Sequence, residues 1–294
     1  MKIAYSLSNN QGMEDARGVV DLAVRAEELG YDSVWASEHV FNVSYVYDRI
    51  GDKPYYEPMT MLTFVAARTT TIGLGTSVLV LPYHNPIRLA KVAATLDVLS
   101  GGRLMLGVGV GVIEEELEAM GSPFAERGAI SDETIAIMKE LWTKEDLVFH
   151  GKYHNFSGMK FTSKPVQRPH IPIIIGGTSR AAIRQAARSG TTWHPTALSP
   201  EALAEGMDYL KEQAVKAGRD PSEISVSVSA AIGNTHNHNR YSLGEDPEEI
   251  LVRSQKYQEL GLERLLISPN TCDQSQLRPI MEILAEVVIP AVQS

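Results

Sequence analysis

The segment Ile171-Pro-Ile-Ile-Ile-Gly-Gly-Thr-Ser-Arg-Ala-Ala-Ile-Arg-Gln-Ala-Ala-Arg-Ser-Gly-Thr-Thr-Trp193 decides the fold. Its opening run, Ile171–Ile175, is continuously apolar rather than alternating, as in a strand buried on both faces. Two glycines end the run. Ser179–Arg188 then reads as a helix, Gly190 stops it, and Thr191–Trp193 starts a second strand. Strand, helix and strand with no hairpin return make a right-handed crossover between parallel neighbours.

The same unit recurs in both directions along the chain. Strands are expected at Ile3–Leu7, Ser33–Ala36, Ile72–Ser77, Leu104–Val108, Ile171–Ile175, Thr191–Trp193, Ile224–Ser229 and Arg264–Ile267. Helices are expected at Asp15–Leu29, from Pro58 through Arg68, and at Ile87–Leu99, Ser179–Arg188, Pro200–Ala217 and Pro247–Leu260. Proline near the start and glycine past the end punctuate most of them. Eight such units close into an α/β (β/α)8 barrel, with an open doubly wound sheet as the alternative. Two connections exceed a simple unit. One runs from Glu38 to Glu57 after strand two. The other follows strand four and holds a helix (Arg127–Trp142) and a hairpin turning at Gly151-Lys152. Both read as insertions in one domain spanning residues 1–294.

Composition narrows the function classes. The 294 residues carry 27 basic and 36 acidic side chains, a net charge of −9. That balance opposes a nucleic-acid or anionic-membrane partner, which needs a basic patch. One cysteine, Cys272, excludes an internal disulfide and suits a reducing compartment. Met1–Ser8 lacks the apolar core and cleavage site of a secretory signal, so a cytoplasmic protein is expected.

In a barrel, chemistry collects at the C-terminal ends of the strands. Strand two runs into Glu38-His39, a pair able to hydrogen-bond a ligand and move a proton near neutral pH; a loop-capping histidine is the plainer reading. Strand three ends in Thr76-Ser77-Val78, polar groups that also suit an ordinary strand terminus. Strand four runs into Gly107-Val108-Gly109-Val-Gly111, where backbone can approach a ligand closely or simply pack at a barrel corner. After strand five, Gly176-Gly177-Thr178-Ser179 opens a helix and forms an anion site, unless Ser179 is only a cap. Trp193-His194-Pro195 follows strand six and is silent about chemistry. His236-Asn-His238 reads as an exposed polar loop, and no metal site is expected.

In combination and order these segments resemble the luciferase-like flavin and deazaflavin oxidoreductase superfamily. The resemblance runs from Ala23–His39 through Ile72–Pro82, Asn85–Lys91, Leu96–Leu104 and Gly107–Gly111 to Pro172–Gly177, nearly the whole chain. Its short frame and the Leu81-Pro-Tyr-His-Asn-Pro86 segment resemble the branch that uses coenzyme F-420, an 8-hydroxy-5-deazaflavin.

The resemblance implies a ring system across the top of the barrel, backed by a non-proline cis peptide at Ser77–Val78. It implies cofactor contacts at Glu38, Thr76, Ser77, Val78, Gly107, Val108, Gly109, Gly176, Gly177, Thr178 and Trp193. Two departures accompany it. Val112 stands where sugar-phosphate dehydrogenases of the superfamily carry a catalytic Glu, and Thr191-Thr192-Trp193 replaces a common Asp-Gly-Trp.

The implied activity is hydride transfer between F-420 and a small organic substrate. His39 would move the accompanying proton, and Phe41, Tyr45, Tyr47, Tyr55 and Tyr56 would wall the substrate pocket. An FMN-dependent monooxygenase and a flavin-binding protein without turnover are the alternatives. A homodimer is expected, paired through Met59–Ala67 and Leu89–Leu99.

Overall fold

The chain begins with β1 (Lys2–Ser6), α1 (Ala16–Glu28), β2 (Ser33–Ala36), α2 (Ser44–Ile50), α3 (Pro58–Arg68), β3 (Gly73–Thr76) and β4 (Leu79–Val80). It continues with α4 (Pro86–Ser100), β5 (Leu104–Gly109), α5 (Glu114–Ala119), α6 (Arg127–Thr143), and the short strands β6 (Val148–His150) and β7 (Asn155–Ser157). Then come β8 (Ile173–Gly176), α7 (Arg180–Ser189), β9 (Thr192–His194), α8 (Pro200–Lys216) and β10 (Ser225–Ile232). The last elements are α9 (Pro247–Glu259), β11 (Arg264–Pro269) and α10 (Gln274–Gln293). This computed structural model describes residues 1–233, 240–271 and 273–293.

Strands β1, β2, β3, β5, β8, β9, β10 and β11 pair in that order, all parallel, and β11 pairs back onto β1. The sheet therefore closes into the eight-stranded barrel, and the open doubly wound alternative falls. Helices cover its outside. Side-chain caps fix several of their starts: Asp15 for α1, Glu57 for α3, Asn85 for α4, Ser179 for α7, Ser199 for α8 and Asp246 for α9.

Strand three carries the non-proline cis peptide that the resemblance implied. It stops at Thr76, bends through a cis peptide between Ser77 and Val78, and resumes as β4. Against β5 the register advances from Gly75↔Met105 to Leu79↔Val108. Four steps on one strand thus face three on the other, which is a bulge of one residue.

The long connection after strand two contains α2. The connection after strand four contains α5, α6 and the β6–β7 hairpin, whose turn is fixed from α6. There, Glu133 accepts from the backbone N–H groups of Lys152, Tyr153 and His154 at 2.6, 3.0 and 2.7 Å.

The barrel interior is filled by Ala4, Trp35, Ile174 and Leu266, with Met105 against them. Trp35 fits there because Gly75 opposite has no side chain; a Cβ there would lie 2.3 Å from the indole. No helix among the described residues is long and apolar enough to cross a membrane.

Candidate active site

Two and three residues beyond the end of β2 the chain places Glu38 and His39 on the C-terminal rim of the barrel. Their side chains diverge. Glu38 is buried, and its Oε2 accepts the Val80 N–H at 2.7 Å while Oε1 lies 2.9 Å from His84 Nε2. The carboxylate thus ties the end of β2 to β4, just past the bulge. Burial opposes a charge on His84, but the hydrogen bond and charge of Glu38 outweigh it and raise the imidazole pKa.

His39 faces the other way. Its Nδ1 lies 2.6 Å from Oε2 of Glu116, on α5, and its Nε2 lies 2.7 Å from the Tyr45 hydroxyl, on α2. The rings of Tyr45 and Tyr55 pack edge-on against the imidazole at 5.5 and 5.7 Å.

Glu116 is fully buried. Its other oxygen accepts the N–H groups of Val40 and Phe41 at 2.8 and 2.9 Å, and Tyr83 donates its hydroxyl to Oε2 at 2.8 Å. Burial alone would raise this carboxyl's pKa. The hydrogen bonds from His39, Phe41 and Tyr83 and the charge of His39 reverse the sign and hold it below the ordinary carboxylate range. A buried carboxylate against His39 was not foreseen. Val112, where the resemblance looked for an acid, is 69% exposed, and Glu116 reaches inward from four residues later on the following helix.

Beneath the bulge stands a polar column that sequence reading also missed. Ser77 Oγ lies 3.0 Å from His194 Nε2, and His194 Nδ1 lies 2.7 Å from Ser227 Oγ. The imidazole stacks on Trp35, with centroids 5.2 Å apart and planes 19° apart. Complete burial pushes the His194 pKa down to about 3, so the ring stays neutral and joins two hydroxyls without carrying a charge.

The remaining candidates sort by position. Thr76 is buried and donates its hydroxyl to Gly107 O at 2.7 Å, locking β3 to β5. Val108 is buried within β5. Val78 emerges partly exposed at the bulge and packs where Gly109 and Gly176 lack side chains; a Cβ at either would come within 2.8 and 2.7 Å of a Val78 methyl. Gly177, Thr178 and Ser179 are exposed at the start of α7.

Trp193 is fully buried and acts from behind that loop, donating its indole N–H to Gly177 O at 2.9 Å. Of the aromatic residues, Tyr45 and Tyr55 converge on His39. Phe41 and Tyr47 are exposed, and Tyr56 turns away to donate to Glu14 O. An open cleft of about 980 Å³ lies on the same rim, lined by Ser199, Tyr241, Ser242 and Arg253 among others. His236 and His238 lie outside the described residues, and no group of three metal-ligating side chains occurs among those described.

A sequence profile described as luciferase-like monooxygenase matches residues 1–241. The chain belongs to this family. Among the curated relatives of this luciferase-like chain is an F-420-dependent glucose-6-phosphate dehydrogenase of Kineococcus radiotolerans. It is 32% identical over 266 residues, covering 89% of this chain and 74% of that protein. An FMNH2-dependent dimethylsulfone monooxygenase of Pseudomonas putida is 30% identical, covering 78% of this chain and 63% of that one. Among solved structures, an F-420-dependent secondary alcohol dehydrogenase bound to an F-420–acetone adduct superposes with a TM-score of 0.84 at 20% identity. The match spans 100% of this chain and 99% of that one. The luciferase-like barrel is thus shared with both deazaflavin and flavin enzymes.

Proposed function

We propose that the protein binds coenzyme F-420 and moves a hydride between it and a small organic substrate. One observation carries the reading. The bulge at Ser77–Val78, the side-chain-free positions Gly109 and Gly176, and the exposed helix start Gly177–Ser179 share one rim with His39. A flat ring needs an apolar backing, and Val78 offers it. A phosphate-bearing tail needs backbone amides and hydroxyls at a helix N-terminus, and the first turn of α7 offers them. The F-420-dependent relative named above supports the same choice.

The residues present fit such a group. Gly176, Gly177 and Thr178 would hold the tail, with Trp193 fixing the loop behind them. Val78 would back the ring, held by Ser77 and the His194 column. Bound F-420 supplies a two-electron hydride centre at its C5. The chain's own part is to exclude water, orient the substrate and move the proton that accompanies the hydride, a task that falls to the His39 cluster.

On this reading the chain is one barrel domain working in the cytosol, where a single thiol stays reduced. It works as a homodimer joined through α3 and α4, where Phe64, Val92 and Leu99 are exposed.

Side-by-side fluorescence titrations with F-420 and FMN test the cofactor. F-420 is expected to bind tighter, and FMN binding about tenfold tighter, ~1.4 kcal/mol, would overturn the reading. Binding of F-420 without turnover across a broad panel of acceptors and alcohols would reduce the protein to a cofactor carrier.

A further inference from the structure

His39 has both ring nitrogens engaged. A carboxylate can only accept, so the proton on Nδ1 points at Glu116. In the neutral ring Nε2 then holds a lone pair, and the Tyr45 O–H donates to it. Exposure falls along this chain of groups. Tyr45 is about half exposed, the His39 side chain is 13% exposed, and Glu116 is fully buried. Tyr45 is the member of the chain nearest solvent. The turn that aims it is itself unusual: Ser44, immediately before, sits at φ +51°, a left-handed conformation that side-chain-bearing residues seldom adopt.

We infer that Tyr45 is the residue that exchanges a proton with the substrate, with His39 as the relay behind it and Glu116 as the positioning residue that fixes the His39 tautomer. This rests on the hydride-transfer reading above. In the oxidising direction a substrate C–H bond breaks, and its hydride goes to the oxidised deazaflavin. The substrate's O–H or N–H proton passes to Tyr45 Oη as the Tyr45 proton passes to His39 Nε2. A C=O or C=N bond is left on the substrate. The new imidazolium keeps its Nδ1–H on the Glu116 carboxylate, which balances its charge. In the reducing direction each transfer runs backwards, and the acceptor heteroatom takes its proton from Tyr45. Burial raises the pKa of the Tyr45 hydroxyl, with Glu116 adding to the rise and Arg49 and Arg240 opposing it. The phenol therefore enters each cycle protonated.

Two measurements test the assignment. The first needs no cofactor: 15N NMR of imidazole-labelled protein, with His39 assigned through His39→Gln. Neutral wild-type His39 is expected as the Nδ1–H tautomer. Tyr45→Phe should keep that tautomer and shift the Nε2 resonance toward a free lone pair, while Glu116→Gln should abolish the preference. A wild-type ring protonated on Nε2, or an Nε2 resonance indifferent to Tyr45→Phe, would overturn the relay.

The second is turnover of the F-420 holoenzyme on the best substrate from the panel. Tyr45→Phe should lower kcat by about 10²-fold or more with F-420 affinity unchanged. Combining it with His39→Ala should add little, because members of one relay are not additive. Turnover kept in Tyr45→Phe but lost in His39→Ala would overturn the Tyr45 assignment and leave the hydride-transfer reading standing. Failure of the wild type to bind F-420 would overturn both, and the binding titration distinguishes that case.

Discussion

Glu116 Oε1 and Oε2 together accept from two backbone amides, an imidazole and a phenol. Glu116→Ala leaves those donors without their acceptor, and a cost of about 2–4 kcal/mol is expected in urea denaturation. Because its folded pKa lies below the unfolded one, the carboxylate contributes stability above the unfolded value, and that contribution disappears as pH falls through the folded value. His84 has the opposite sign. Its pKa is raised by Glu38, so its contribution is complete below the unfolded imidazole pKa and is lost as pH rises through the folded one. His84→Gln should therefore destabilise more at pH 6 than at pH 9, measured by denaturation at both. Glu38 and His39 were legible because they follow a strand directly. Glu116, His84 and His194 were not. Each gains its role from a partner on another element, and no local pattern distinguishes Glu116 from Glu114 and Glu115 beside it.

The bulge in strand three depends on its neighbours having no side chains. A Cβ at Gly107 would lie 1.8 Å from Thr76 O, a backbone atom that cannot step aside. Gly107→Ala should lose about 3 kcal/mol or more, read from denaturation, or fail to fold. Gly109→Ala meets only a Val78 methyl at 2.8 Å. A smaller stability loss of about 1–3 kcal/mol is expected there, with Val78 displaced and, on the proposed reading, F-420 affinity reduced in titration. The sequence showed that glycines alternate here, but not which atoms need the space. Likewise the eight strands were readable from their apolar runs. The two short helices were not. α2 lay hidden in a tyrosine-rich connection, and α5 is one six-residue stretch with three glutamates in its first turn. Neither carries a side-chain cap or a long apolar stripe.

At the scale of the molecule, the repeated strand–helix grammar pointed to closure because eight such units can form a ring that leaves no edge. The exposed apolar residues on α3 and α4 could be inferred only as part of a segment, since helix periodicity does not say which face lacks a cover. Light scattering at micromolar concentration should give twice the protomer mass, and Leu99→Lys with Phe64→Lys should shift it toward the monomer. Closure also has a kinetic side. The barrel seals where Ile3 and Tyr5 pair with Leu265 and Ile267, partners from opposite ends of the sequence. Contacts so distant in sequence form slowly, since the chain must surrender its freedom before they reward it. His39, Ser77, Gly107, Gly176 and His194 hang on five different strands of that ring, and His194 lies 2.7 Å from Ser227 on a sixth, so the site draws on most of the sheet. During refolding, cofactor capture should appear only in the phase that protects the Lys2 and Ala4 amides, which face β11, in pulsed hydrogen exchange, making ligand uptake a clock for the last act of assembly.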